Sequence, residues 1–219
     1  MSKKIKIIAV DDHNLFRESL VFSLGRNNEF EIVAEASNGL EAISEYEKHK
    51  PDLVLMDILM PELDGIEATR KIIEKHPEAK IIALTMFGEE EFYHKMINLG
   101  VKGFVLKQSS FSELETAIIM VSKGDFYFSQ DLLRKVILKM SDKKTETKKN
   151  INQVEELTKR EIELIQLICK GNTNAEIAEI MFVSPRTVEG YKTKLLNKTS
   201  SKNIASLIIF AVKNNLIDI

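Results

Sequence analysis

The sequence predicts a doubly wound α/β domain with a five-stranded parallel sheet, followed by a small all-α domain. The first observation is Leu53–Asp57, where four apolar residues precede an aspartate, as in strands buried on both faces. The second is that strand-like and helix-like stretches alternate five times between residues 5 and 123, which favours a parallel sheet covered by helices. The third is the segment 141–150, which lacks apolar residues and precedes several short helical stretches.

Each expected strand of the first domain is a short apolar run, and an amphipathic stretch follows it. The strands are expected at 5–10, 30–35, 53–57, 80–85 and 101–106. The helices are expected at 16–24, 40–48, 66–76, 89–99 and 111–123. Because the strands are parallel, their carboxyl ends should lie along one rim of the sheet.

The second domain shows the start signals of several helices. Thr158 and Thr173 each stand three residues before a glutamate, the spacing of a capping box, and Ser184 precedes a proline at the first helical position. A last helix is expected at about 202–215, and its apolar residues are either a dimer contact or core. Two short helices joined by a tight connection, the second capped by Ser184, indicate a helix-turn-helix.

Size and composition fit two ordinary soluble domains. The chain has 219 residues and a mass of 25.0 kDa, and we divide it into a domain at 1–124, a partly helical and then polar linker at 125–152, and a domain at 153–219. No apolar run approaches the roughly 20 residues of a membrane helix, and the first residues do not resemble a secretory signal. A lone cysteine, Cys169, fits a cytoplasmic protein.

Charge is distributed unevenly along the chain. Residues 1–135 contain 17 Lys and Arg against 23 Asp and Glu, whereas residues 136–219 contain 14 against 10. The two parts therefore carry about −6 and +4 charges. This asymmetry predicts a cation or phosphate site in the first part and a polyanionic partner for the second.

Four expected strands end in residues of chemical interest. These are Asp11 with Asp12, Asp57, Thr85 and Lys107. Taken singly, each has an ordinary explanation, such as an N-cap pair for the two adjacent aspartates or a solvated amine for the lysine. Together on one rim, three carboxylates predict a Mg²⁺ site, and the hydroxyl and the ammonium group would help to neutralise a phosphoryl group.

These residues, with Met60 to Gly65, resemble the receiver domain of two-component response regulators over about residues 3–123. The resemblance implies a flavodoxin-like fold in which Asp57 takes a phosphoryl group from a histidine kinase. It also implies that Asp12, Asp57 and the backbone carbonyl of Leu59 bind Mg²⁺, with Asp11 as a further acidic ligand. Thr85 and Lys107 would engage the phosphate, and Phe104 would turn inward with Thr85. Gln108 follows Lys107 where many receivers have proline.

Residues 157–203 resemble the LuxR-type helix-turn-helix, and the whole chain is similar to the NarL/FixJ family of response regulators. Helical spacing places Val188, Tyr191 and Leu195 on the packing face of the recognition helix. Tyr191 stands where the family usually has histidine. The residues expected at or beside DNA are Arg186, Thr187, Glu189, Gly190, Lys192, Thr193, Lys194, Asn197 and Lys198. Gly190 is explained either by close approach to DNA or by packing.

The resemblance implies a cytoplasmic transcription regulator that binds double-stranded DNA and forms a homodimer when phosphorylated. It also implies that the protein does not act at a membrane and catalyses no reaction beyond slow self-dephosphorylation. One alternative is a Mg²⁺-dependent phosphatase with an aspartyl nucleophile, although such enzymes usually have a second aspartate where this chain has Leu59. Another is a DNA-binding protein whose first domain only dimerises and is never phosphorylated.

Overall fold

The computed structural model describes residues 3–86, 90–129, 157–214 and 216, which fall into two units divided after Ser129. The first unit is built on a parallel sheet with the strand order β2-β1-β3-β4-β5-β6. The strands are β1 Ile5–Val10, β2 Phe30–Ala36, β3 Leu53–Asp57, β4 Ile81–Thr85, β5 Gly103–Leu106 and β6 Tyr127–Phe128. The helices are α1 Asn14–Gly25, α2 Gly39–His49, α3 Gly65–Lys75, α4 Glu90–Leu99 and α5 Phe111–Ser122.

Helices cover both faces of this sheet, as the sequence predicts. Side chains from α1 and α5, among them Leu20, Leu24 and Ile118, form one apolar cluster with alternate residues of the central strands. Helix α3 contacts α2 on one side and α4 on the other, and Tyr93 of α4 packs against Phe104 of β5. Every residue of β3 and β4 is buried, which explains their uninterrupted apolar sequences.

The prediction of five strands is wrong by one, because Tyr127 and Phe128 add a sixth at the edge beside β5. The backbone N–H of Tyr127 donates to the carbonyl of Lys102, and that of Ser129 donates to the carbonyl of Phe104. Two residues are too few for a detectable alternation of apolar and polar positions. The sequence predicts a linker for these residues, and the part of that linker at 130–152 lies outside the described residues.

Four helices form the described part of the second unit: α6 Lys159–Cys169, α7 Asn174–Ile180, α8 Pro185–Lys198 and α9 Ile204–Lys213. Both predicted capping boxes are confirmed. The side chains of Thr158 and Thr173 accept from the backbone N–H groups of Glu161 and Glu176, and the two glutamate side chains accept from the backbone N–H groups of the threonines. Ser184 caps α8 as predicted. In α9, Ile204, Leu207 and Ile208 are buried within the unit, so the core explanation holds for these residues rather than the dimer contact.

No membrane-spanning helix is found in the described parts of the chain, where every helix is too short or too polar to cross a bilayer.

Candidate functional site

The carboxyl rim of the sheet gathers the polar residues that the sequence singles out. Asp11 follows β1, Asp57 ends β3, Thr85 ends β4 and Lys107 follows β5. The two carboxylates and the threonine are buried, at 0%, 2% and 0% exposure. The expectation that these side chains converge is confirmed for Asp11, Asp57 and Lys107 by direct contacts.

The ammonium group of Lys107 bridges two carboxylates. Its Nζ lies 2.8 Å from Oδ2 of Asp11 and 2.7 Å from Oδ2 of Asp57. The lysine side chain is only 9% exposed. Burial lowers the pKa of Lys107, but the hydrogen bonds to the two carboxylates outweigh it, so the pKa lies above its ordinary value and the amine is charged.

Asp57 is held in a low-dielectric environment. Burial, together with the charge of Asp11, raises its pKa to about 7, against the opposing hydrogen bond from Lys107. Its other oxygen, Oδ1, accepts a hydrogen bond of 2.8 Å from the backbone N–H of Ile58. The site therefore gains from added positive charge, which would favour the ionised carboxylate.

Three aspartates and a histidine stand close enough to share a metal ion. Ligand atoms of Asp11, Asp12, His13 and Asp57 all lie within 4.8 Å of one another. Nδ1 of His13 lies 3.0 Å from Oδ1 of Asp12, and the backbone N–H of His13 donates to Oδ1 of Asp11. Carboxylate oxygens are the donors that Mg²⁺ prefers, so the residues present fit that ion. His13 is not among the site residues that the sequence predicts, although it directly follows the aspartate pair.

The loop after β3 folds back onto the backbone of Asp57. The N–H of Gly65 donates to the carbonyl of Ile58, and a Cβ at Gly65 would stand 1.8 Å from the carbonyl oxygen of Asp57. Glycine is required here for space, because any side chain would overlap the strand end that carries the aspartate. Leu59 lies in this loop with its side chain 43% exposed.

Thr85 and Phe104 lie on the neighbouring strands β4 and β5, and both are buried. The backbone carbonyl of Thr85 accepts from the N–H of Lys107, so β4 and β5 are tied together beside the site. The Phe104 ring is fully buried, with its centroid 5.7 Å from that of Tyr93 and 5.9 Å from that of Phe128. The ring is therefore packed inside the first unit, and its turning inward with Thr85 stays a prediction. The peptide bond between Lys107 and Gln108 is trans.

The surface of α8 separates packing residues from exposed ones. Val188 and Leu195 are buried as predicted, whereas Tyr191 is half-buried with the Arg160 guanidinium 5.9 Å from its ring centroid. The following predicted DNA contacts are exposed: Arg186, Glu189, Gly190, Thr193, Lys194 and Asn197. These residues form the outer face of α8.

Three predicted DNA contacts, Thr187, Lys192 and Lys198, are only half-exposed. Thr187 takes part in the helix cap, with its hydroxyl 2.8 Å from that of Ser184. Nζ of Lys198 lies 3.2 Å from Oε2 of Glu161. Apart from its chain neighbours and its own helix backbone, no atom of the described residues lies within 4 Å of the position that a Cβ of Gly190 would occupy, so packing among those residues does not require glycine there.

Comparison with known proteins identifies both units. The model of the response regulator receiver domain matches residues 7–119, and that of the bacterial regulatory proteins of the luxR family matches residues 155–211. The chain belongs to the NarL/FixJ family of two-component response regulators. This response regulator thus combines a receiver domain with a LuxR-type helix-turn-helix, and its family controls transcription.

Two of the following proteins match over nearly the whole length of the response regulator, and one matches over about two thirds of it. The oxygen regulatory protein NreC of Staphylococcus aureus is 38% identical over 98% of this chain and 100% of its own. A LuxR-family response regulator from Aurantimonas sp. SI85-9A1 is 33% identical with a TM-score of 0.60, over 64% of this chain and 99% of its own. The response regulator ChrA of a heme-sensing system is 26% identical with a TM-score of 0.56, over 99% of this chain and 100% of its own.

Proposed function

We propose that Asp57 accepts a phosphoryl group from the phosphohistidine of a sensor kinase and that this event controls DNA binding by the second unit. The observation that carries the proposal is the bridge that Lys107 forms between Asp11 and Asp57 at the carboxyl end of a buried parallel strand. An acceptor in this position has one carboxylate oxygen fixed by the N–H of Ile58 and the other beside a positive charge.

The transfer requires an ionised carboxylate and a charged partner for the incoming oxygens. An Oδ atom of Asp57 attacks phosphorus, the P–N bond of the phosphohistidine breaks, and the imidazole leaves with the electron pair and takes up a proton. The product is an aspartyl phosphate. The ammonium group of Lys107 would pair with the phosphoryl oxygens once the negative charge lies on them. The Thr85 hydroxyl, which donates to the Met86 carbonyl at 3.3 Å in this structure, would turn to donate to those oxygens.

We propose Mg²⁺ as the cofactor of this phosphoryl transfer. Asp11, Asp12, Asp57 and the backbone carbonyl of Leu59 would hold it, since three carboxylates against the single ammonium of Lys107 leave an excess of negative charge. When bound, the ion neutralises charge on the transferring phosphoryl group.

The partners follow from the two units. The exposed face of α8, with Arg186 and Lys194, would enter the major groove of double-stranded DNA, and Glu189 would accept from a cytosine amino group. Phosphorylation would shift a two-state receiver and favour a homodimer on a two-fold site. Such a protein would act in the cytoplasm, where bacterial chromosomal DNA is found. We propose no enzymatic turnover beyond slow loss of the aspartyl phosphate.

Intact-mass measurement with Mg²⁺ and acetyl phosphate tests the acceptor. We expect one added phosphoryl group in the wild type and none in Asp57→Asn. Asp52→Asn is the matched control, because Asp52 stands just before the same strand and pairs with Lys3 away from the site. Labelling that persists in Asp57→Asn would overturn the assignment, and continuous release of phosphate from esters would support a phosphatase instead.

A further inference from the structure

The ammonium group of Lys107 has a third neighbour besides its two carboxylates. Its Nζ lies 5.2 Å from the centroid of the Phe16 ring, over the ring face. The ring and the oxygens of Asp11 and Asp57 together enclose a side chain that is only 9% exposed. The Phe16 ring affects the conformation of the Lys107 side chain. The two carboxylates alone do not fix that conformation, because the lysine has a flexible four-carbon chain.

Phe16 is itself held firmly. It is the third residue of α1, half-buried and packed on the apolar cluster that includes Leu20 and Leu24. Its neighbour Leu15 points outward with 84% exposure. The start of α1 is tied to β1, since the Arg17 guanidinium donates to the carbonyl of Asp11. The helix start that carries the ring is therefore bound to the strand end that carries the carboxylates.

An aromatic ring acts on a cation differently from an aliphatic side chain of similar size. The negative face of the ring attracts an ammonium group, and the attraction is stronger where water is excluded. A leucine would fill much of the same space without this attraction. The ring thus favours Nζ in the enclosed position beside Asp57 over positions closer to solvent.

We propose that Phe16 is a positioning residue that holds the Lys107 ammonium for phosphoryl transfer to Asp57. The inference rests on the proposed function, because it assigns Phe16 a role in that same reaction. Phe16 touches neither the acceptor carboxylate nor a reacting atom in this scheme; it acts through Lys107. The competing explanation is that Phe16 only fills the core at the start of α1.

The test compares rates of labelling by acetyl phosphate with Mg²⁺ in the full-length protein. In the reaction an Asp57 oxygen attacks phosphorus and acetate leaves with the electron pair. We expect Phe16→Leu to slow labelling about fivefold, the size of one cation–π interaction, and Phe16→Tyr to restore the rate because it keeps the ring. Phe22→Leu is the matched control on the same helix, since Phe22 is 68% exposed, and it should leave the rate unchanged.

A double-mutant cycle separates positioning from packing. In a Lys107→Met background, Phe16→Leu should cause no further loss, because the ring then has no ammonium to hold. An equal loss in both backgrounds would overturn the inference, and so would a Phe16→Leu rate equal to that of the wild type. A wild type that takes no phosphoryl group would instead count against the proposed function.

NMR gives a readout that does not depend on labelling. The Cε protons of Lys107 should show a ring-current shift in the wild type and Phe16→Tyr, and it should disappear in Phe16→Leu but persist in Phe22→Leu. If Lys107→Met is labelled too slowly for its rate to be measured, these resonances distinguish positioning of Lys107 from core packing alone. A Lys107 signal that Phe16→Leu leaves unchanged would overturn the inference, whatever the outcome for Asp57.

Discussion

At the scale of single residues, the backbone of Asp57 leaves no room for a side chain at Gly65. The Cβ of Gly65→Ala would stand 1.8 Å from the Asp57 carbonyl oxygen, so either the loop or the strand end must move. We expect the first unit to lose about 2 kcal/mol or more of its free energy of unfolding and to be phosphorylated more slowly. Calorimetric unfolding and intact-mass labelling would measure both effects.

Gly190→Ala is the matched control for this substitution. Its Cβ would meet open space on an exposed helix, so alanine should raise the stability of the second unit by up to about 1 kcal/mol. If the glycine serves close approach to DNA, the same variant binds duplex DNA more weakly despite its greater stability. A Gly65→Ala protein as stable and as readily labelled as the wild type would contradict the steric argument.

The residues of the site were predictable because each stands at a strand end, where topology alone brings distant positions together. Asp11, Asp57 and Lys107 are predicted in this way, and the structure places Lys107 in ion pairs with both aspartates. The sequence could not reveal that Phe16 faces Lys107, because the helical pattern explains the phenylalanine fully as a core residue. A contact between an apolar helix position and a charge on another element leaves no periodic signal.

At the scale of elements, helix α6 depends on an ionised glutamate at its start. Hydrogen bonds from Thr158 lower the pKa of Glu161 below its ordinary 4.5, against the opposing effect of burial, and the Lys198 ion pair lowers it further. A depressed pKa contributes stability above about pH 4.5 that is lost as the pH falls through the folded-state value. We therefore expect the second unit to lose stability as acid protonates Glu161.

Glu161→Gln tests this expectation, because glutamine can keep the capping box but cannot ionise. The variant should melt at a lower temperature than the wild type near pH 7, and the difference should shrink below about pH 4.5. Glu163→Gln, an exposed position on the same helix, serves as the control. A constant difference between pH 7 and pH 3 would show that the charge of Glu161 contributes nothing to the cap.

Elements with strong local signals were predicted well, whereas strand β6, which has no such signal, was missed. The caps at Thr158, Thr173 and Ser184 form as their spacing predicts, because capping depends on residues within one turn. Strand β6 is specified instead by pairing with β5 and by the stacking of Phe128 on Phe104. Such tertiary contacts are invisible in a stretch of two residues.

At the scale of the whole molecule, the charge asymmetry makes a quantitative prediction about DNA binding. Each lysine that contacts a phosphate releases counterions, so removing one reduces the slope of log affinity against log salt by about 0.9. Lys194 is exposed on α8, and we expect Lys194→Ala to reduce the slope by this amount for every DNA sequence. Lys198→Ala should change it less, because that ammonium pairs with Glu161.

The same measurement distinguishes a monomer from a dimer on DNA. In a homodimer on a two-fold site each substitution is present twice, so Lys194→Ala should reduce the slope by about 1.8 in the phosphorylated protein but by about 0.9 in an unphosphorylated monomer. Lys202→Ala, exposed outside α8, should change neither slope. An identical reduction in wild-type and Asp57→Asn backgrounds after treatment with the phosphodonor would mean that phosphorylation does not alter the number of DNA-bound units. The receiver would then act by some other route than pairing the helix-turn-helix units.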